Sequence, residues 1–159
     1  MYNAEMLKEY LAFVNKGQYH INDNFISKDA NVVVDPVDEV KRCLINASVP
    51  MSYDELYDKL SHIAPQKIKQ ILNFNSDFIS NGRSEYFHID ITVLTEDYLA
   101  DISAIITDAI SDKKFMGGNE LIEAISSKYP YIIESNSTIS ELGLRNAIGY
   151  KLKTRFAFE

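Results

Sequence analysis

Apolar positions return every three to four residues through much of this chain, the spacing of one buried helix face. Met6, Leu7, Tyr10, Leu11 and Val14 predict a first helix over residues 3–15, with Gly17 as its stop. After a polar stretch, Phe25, Ile26 and Ser27, then Val32, Val33 and Val34, flank the turn formers of residues 28–31. That pattern predicts a short hairpin, which Asp35-Pro36 ends because proline cannot donate to a ladder. Val40, Leu44 and Ile45 predict a helix over residues 37–46, and Val49-Pro50-Met51 a brief extended piece. Ser52, with Glu55 three residues on, is a capping box, and Leu56, Tyr57, Leu60 and Ile63 give its helix an apolar stripe. Pro65 suits the first turn of the next helix, whose buried face is Ile68, Ile71 and Leu72. Residues 77–80, Asn81-Gly82-Arg83 and residues 85–89 then read as strand, turn, strand, since Asn-Gly between apolar runs favours a tight hairpin.

The predicted order over residues 37–92 is helix, short strand, helix, helix, hairpin. Along that whole length the segment resembles the winged helix-turn-helix superfamily, through pattern and spacing and not through a residue signature. The resemblance implies a recognition helix at residues 65–73 and a wing whose tip holds Arg83.

The pattern then recurs. Thr95 caps a long predicted helix to about Asp112, with Leu99, Ile102, Ile105, Ile106 and Ala109 apolar. Residues 116–123 align with residues 51–58 at an offset of 65, with Met116, Glu120 and Leu121 matching Met51, Glu55 and Leu56 outright. Leu60 pairs with Ile125 and Val40 with Ile105 in the same register, which points to an internal repeat. The second copy has a longer connection at residues 129–137, a last helix from Thr138 to about Lys153, and one strand begun by Arg155. Its wing is therefore either reduced or cut short in an excerpt of a longer protein, and the excerpt is favoured. The expected fold class is α+β, mainly helical. Two tandem winged-helix units, 37–93 and 94–159, follow an N-terminal helix and hairpin, 1–36.

Composition adds limits. An apolar share of 46% with 11% aromatics supports a packed core. The single Cys43 excludes an internal disulfide, a four-cysteine zinc site and a CxxC pair, and fits a reducing compartment. No apolar run approaches the ~20 residues of a membrane span, and the opening MYNAEMLKEY lacks a signal peptide's basic head. A cytoplasmic protein without a membrane partner is expected.

The net charge of −7 argues at first against a phosphate partner. Divided by segment, it says something else. Residues 65–85 carry three basic and two acidic side chains, and residues 138–159 four and two; everything else is net acidic. These are the two segments that the resemblance would place on nucleic acid. Lysine and arginine attract phosphate, while glutamine and asparagine read base edges. The candidates are Gln66, Lys67, Lys69, Gln70, Asn73 and Arg83 in the first copy, and Arg145, Asn146, Lys151, Lys153 and Arg155 in the second. The same residues also suit ordinary solvated helix faces. Two readings stand: a DNA-binding module in transcription or replication control, or a winged-helix scaffold for protein partners. The acidic residues 86–137 and the apolar Tyr129-Pro130-Tyr131-Ile132-Ile133 motivate the second.

Catalytic signals are weak. His20, His62 and His88 lie far apart without metal-type spacing, and Cys43 beside Leu44 reads as a packing thiol. Gly117-Gly118 lies in no phosphate-loop motif and reads as a turn into a helix. No enzyme activity, cofactor or metal is expected.

Overall fold

A computed structural model describes residues 4–15, 20–21, 26–27 and 34–159. The chain divides into two compact units, Met1–Pro36 and Val37–Glu159.

In the first unit, α1 (Ala4–Asn15) realises the predicted helix. Its hairpin differs from the expected one. β2 (Ile26–Ser27) pairs antiparallel with β1 (His20–Ile21), inside the stretch read as polar linker. Of the valine run expected to be its partner, Val34 is irregular, and Val32 and Val33 lie outside the described residues.

The second unit begins with α2 (Pro36–Ala47), β3 (Met51–Ser52) and α3 (Tyr53–Lys59). The capping box is present: Glu55 N–H donates to Ser52 Oγ at 3.3 Å, and Ser52 N–H to Glu55 Oε2 at 2.8 Å. α4 (Pro65–Phe74) starts with its proline in the first turn, where the missing N–H has no helical partner to lose. β4 (Phe78–Gly82) and β5 (Glu85–His88) follow, and the three strands form an antiparallel sheet in the order β3-β5-β4. After a 3-10 turn at Ile89–Ile91 come α5 (Glu96–Lys113), α6 (Gly118–Lys128), α7 (Pro130–Ser135) and α8 (Glu141–Leu152). The unit is thus α+β and mainly helical.

Two cores flank this sheet. Val40, Leu44, Met51, Leu56, Ile68, Leu72 and Phe78 form one with α2, α3 and α4. Ile79, Phe87, Leu99, Ile102, Ile125, Leu144 and Ile148 belong to the other, with α5, α6 and α8. Successive strand residues point to opposite faces. Phe78 and Ile79 therefore enter different cores, and the hairpin is covered on both sides.

After β5, three elements differ from the sequence reading. The connection over residues 129–137 contains the helix α7, begun by Pro130 in its first turn. The last helix starts at Glu141, capped by Ser140, and not at Thr138. Residues 155–159 form no strand. In their place, β4 and β5 supply the sheet against which α8 packs.

At the offset of 65, two further local features coincide. Glu120 Oε2 accepts from Gly117 N–H at 3.4 Å, as Glu55 does from Ser52. Pro65 opens α4, and Pro130, 65 residues on, opens α7. By register the short α7, and not α8, corresponds to α4.

Candidate nucleic-acid interface

The helix α4 is amphipathic by simple phase. Ile68, Ile71 and Leu72 are buried, while Pro65, Gln66, Lys67, Lys69, Gln70, Asn73 and Phe74 are exposed. At 100° per residue Gln66, Gln70 and Asn73 run down the middle of the open face. Lys67 flanks one edge and Lys69 the other. The Lys69 ammonium sits 5.4 Å from the centroid of the Tyr53 ring, which steadies a long side chain by cation–π attraction. Tyr53 in turn donates from its hydroxyl to that of Tyr86 at 3.1 Å, linking α3 to β5.

Arg83 stands at the hairpin tip, exposed, in a two-residue connection with Ser84. Gly82, Arg83 and Ser84 have φ of 81°, 53° and 60°. Positive φ at both loop residues is the type I′ pattern, which matches strand twist but normally selects Asn or Gly. The expected turn, centred on Asn81-Gly82, is displaced. The pairing runs Ser80 with Tyr86 and then Gly82 with Glu85, so Asn81 is bulged out.

The bulge has a cause. Ser140 N–H donates to Asn81 Oδ1 at 2.8 Å, Ser140 Oγ donates to the Asn81 carbonyl at 2.7 Å, and Asn81 Nδ2 donates to Glu85 Oε2 at 2.9 Å. Nearby, Asn146 Nδ2 donates to the Ser80 carbonyl at 3.0 Å and the Tyr150 hydroxyl to Asp77 Oδ1 at 2.5 Å. That carboxylate bond also raises the Tyr150 pKa. Helix α8 is therefore tied along β4.

This fixes where the second set of candidates lies. Within α8 only Glu141, Leu142 and Lys151 are exposed, against seven of the ten α4 residues. Asn146 is half-buried and bonded to Ser80. Arg145 is half-buried and lies over Gly118 at the start of α6, in the space a Cβ there would need. Lys151, Lys153 and Arg155 are exposed, and Lys153 lies 4.4 Å from the Tyr150 ring centroid. The first set shares one open helix and one hairpin tip; the second is divided between an interior face and the end of α8.

The residues weighed for chemistry have structural partners. His62 Nε2 lies 2.8 Å from Glu39 Oε1, joining α2 to the turn before α4. Cys43 Sγ is 4.0 Å from Met51 Sδ, and burial pushes its thiol pKa up despite Lys59, the opposite of an activated nucleophile. His88 is buried, accepts from Asp90 N–H through Nδ1 at 3.1 Å and meets the Phe78 ring edge-on. The His20 side chain lies outside the described residues.

Asn81, Ser140 and Asn136 carry structural roles that periodicity did not reveal. Asn136 is buried; its amide accepts from Val93 N–H at 2.8 Å and donates to the carbonyls of Val93 and Ile132. No spacing marks such residues, since their partners lie 43 and 59 positions away. The sequence reading ends this face at Asn73 and omits exposed Phe74, whose signal is an apolar residue in phase with the polar face.

No family model matches this chain, and no curated protein and no solved structure matches it. No helix among the described residues is long and apolar enough to cross a membrane.

Proposed function

We propose that this chain is a non-catalytic DNA-binding module of transcription or replication control, built as tandem winged-helix units of which one reads DNA. The observation that carries the reading is the open face of α4. It sets three amides between two lysines, on a helix whose opposite side is anchored in a core. In the proposed complex α4 enters the major groove, where the amides meet base edges and the lysines meet phosphates. Arg83 adds a backbone contact from the wing tip. Its positive φ supports this role, because a strained non-glycine conformation at a tip is retained where position matters. The second half acts as a brace: α8 holds the bulged β4 and so fixes the hairpin that presents Arg83.

The test is fluorescence anisotropy with labelled duplex DNA at ~50 mM salt, where phosphate contacts bind most strongly. Measurable, salt-sensitive affinity supports the reading, and its absence defeats it.

A second reading, a scaffold for protein partners, is favoured by Ile110 and Phe115. They are 37% and 72% exposed at and just beyond the end of α5, within the most acidic part of the chain. Pull-down of a partner that survives nuclease treatment would support it.

A further inference from the structure

Phe74 is 86% exposed, the most exposed large apolar side chain among the described residues. It closes α4 seven residues after Lys67, so the two share an edge of the open face, and it follows Gln70 by one turn. Its position is fixed from behind. Asn75 leaves the helix in an extended conformation, and its backbone N–H and side-chain Nδ2 both donate to the Ile71 carbonyl, at 3.2 and 2.8 Å. A phenylalanine that a core could hide is instead held in solvent, beside amides and lysines.

Resting on the reading of α4 as a groove-inserted helix, we infer that Phe74 contacts the 5-methyl group of thymine, so that this site takes thymine-bearing duplex DNA. Among the base edges of the major groove, thymine alone offers an apolar group, and phenylalanine is one of the side chains suited to it. The neighbouring chemistry agrees. Gln70 can pair with the N6 and N7 edge of adenine. Four residues of helix rise about 6 Å, close to two base-pair steps of roughly 3.4 Å, so Gln70 and Phe74 address different pairs along one groove. Lys67 and Lys69 supply the charge complementary to phosphates on either side. Duplex RNA fails twice, because its deep major groove excludes a helix and uracil lacks the methyl group.

The experiment selects bound sequences from a pool of randomised DNA duplexes with the full chain. The selected duplexes are then remade with deoxyuridine at single thymine positions. The expected result is one position where uridine weakens wild-type binding about fourfold, the worth of one buried methyl group. Phe74→Ala, a surface change, binds both forms alike, and Phe74→Leu keeps part of the preference. Equal wild-type binding to both forms at every position overturns the thymine contact and leaves the groove reading standing. Tighter binding to single strands than to duplex overturns it in favour of base stacking. Self-association of the wild type that Phe74→Ala abolishes overturns it in favour of a second copy covering the ring. No duplex binding at ~50 mM salt overturns both readings together.

Discussion

Asn81 and Ser140, 59 residues apart, are joined by two hydrogen bonds that tie the β4–β5 hairpin to the N-cap of the last helix. The bonds reach Asn81 through its side chain and its own carbonyl, so the bulge and the helix cap form one structure. Removing the amide leaves the partly buried Ser140 N–H without its acceptor. Asn81→Ala is therefore predicted to destabilise the chain by roughly 1–3 kcal/mol, the usual cost of an unsatisfied buried polar group. Urea unfolding measures it; an unchanged midpoint would show that the two halves are not coupled here.

Gly143 marks the closest approach between α8 and the sheet. A Cβ on it would collide with Asn81 Oδ1 and stand 2.8 Å from Ile139 Cγ2 and 3.0 Å from Phe87 Cε1. Helix propensity alone favours alanine by about 1 kcal/mol, whereas overpacking costs roughly 1–3 kcal/mol. The collision involves a bonded amide and two core residues that cannot yield cheaply, so Gly143→Ala is predicted to be destabilising. Gly149 is the control on the same helix. Its Cβ would meet only Phe158, at 3.4 Å. Gly149→Ala should be neutral or stabilising, and thermal unfolding of the pair separates the two effects.

His88 gives the fold a pH dependence. Burial lowers its pKa, outweighing the pull of Asp90, whose Oδ2 lies 3.5 Å from Nδ1, and of Asp77; Lys41 pushes in the same direction as burial. The unfolded chain thus takes up a proton more readily than the folded one. Stability is intact above the ordinary histidine value of about 6.5 and declines as pH falls below it. His88→Asn keeps an acceptor for the Asp90 N–H and removes the titration. Denaturation midpoints at pH 7.5 and 5.5 should fall for the wild type and much less for this variant; equal falls would assign the dependence to other groups.

Sequence periodicity predicted nearly every helix of the second unit, because each buries one face and that face writes a spacing of 3.6 into the chain. Ser52, Pro65 and Thr95 marked their boundaries through local chemistry that needs no distant partner. What it could not show was which helix covers which surface. Arg145 and Asn146 look like reading residues when α8 is considered alone, yet they face other elements, Asn146 bonded to β4 and Arg145 lying over Gly118 at the start of α6. The hairpin turn was misplaced for the same reason: local preference favoured Asn81-Gly82, and bonds from Ser140 pulled Asn81 out of the turn. On α4 no other described element of the second unit covers the polar side, so its candidate residues read from the sequence are also the exposed ones.

In the proposed function α4 reads DNA and α8 does not. Anisotropy titrations of one duplex over a series of salt concentrations test it with two charge reversals. Lys67→Glu/Lys69→Glu should weaken binding and flatten the slope of log affinity against log salt by about 0.9 for each phosphate no longer neutralised. Lys151→Glu/Lys153→Glu should leave both nearly unchanged, at ~0.1 M salt where charges more than about 10 Å from the duplex are screened. Equal weakening by both pairs, or weakening by the second pair alone, would contradict the account.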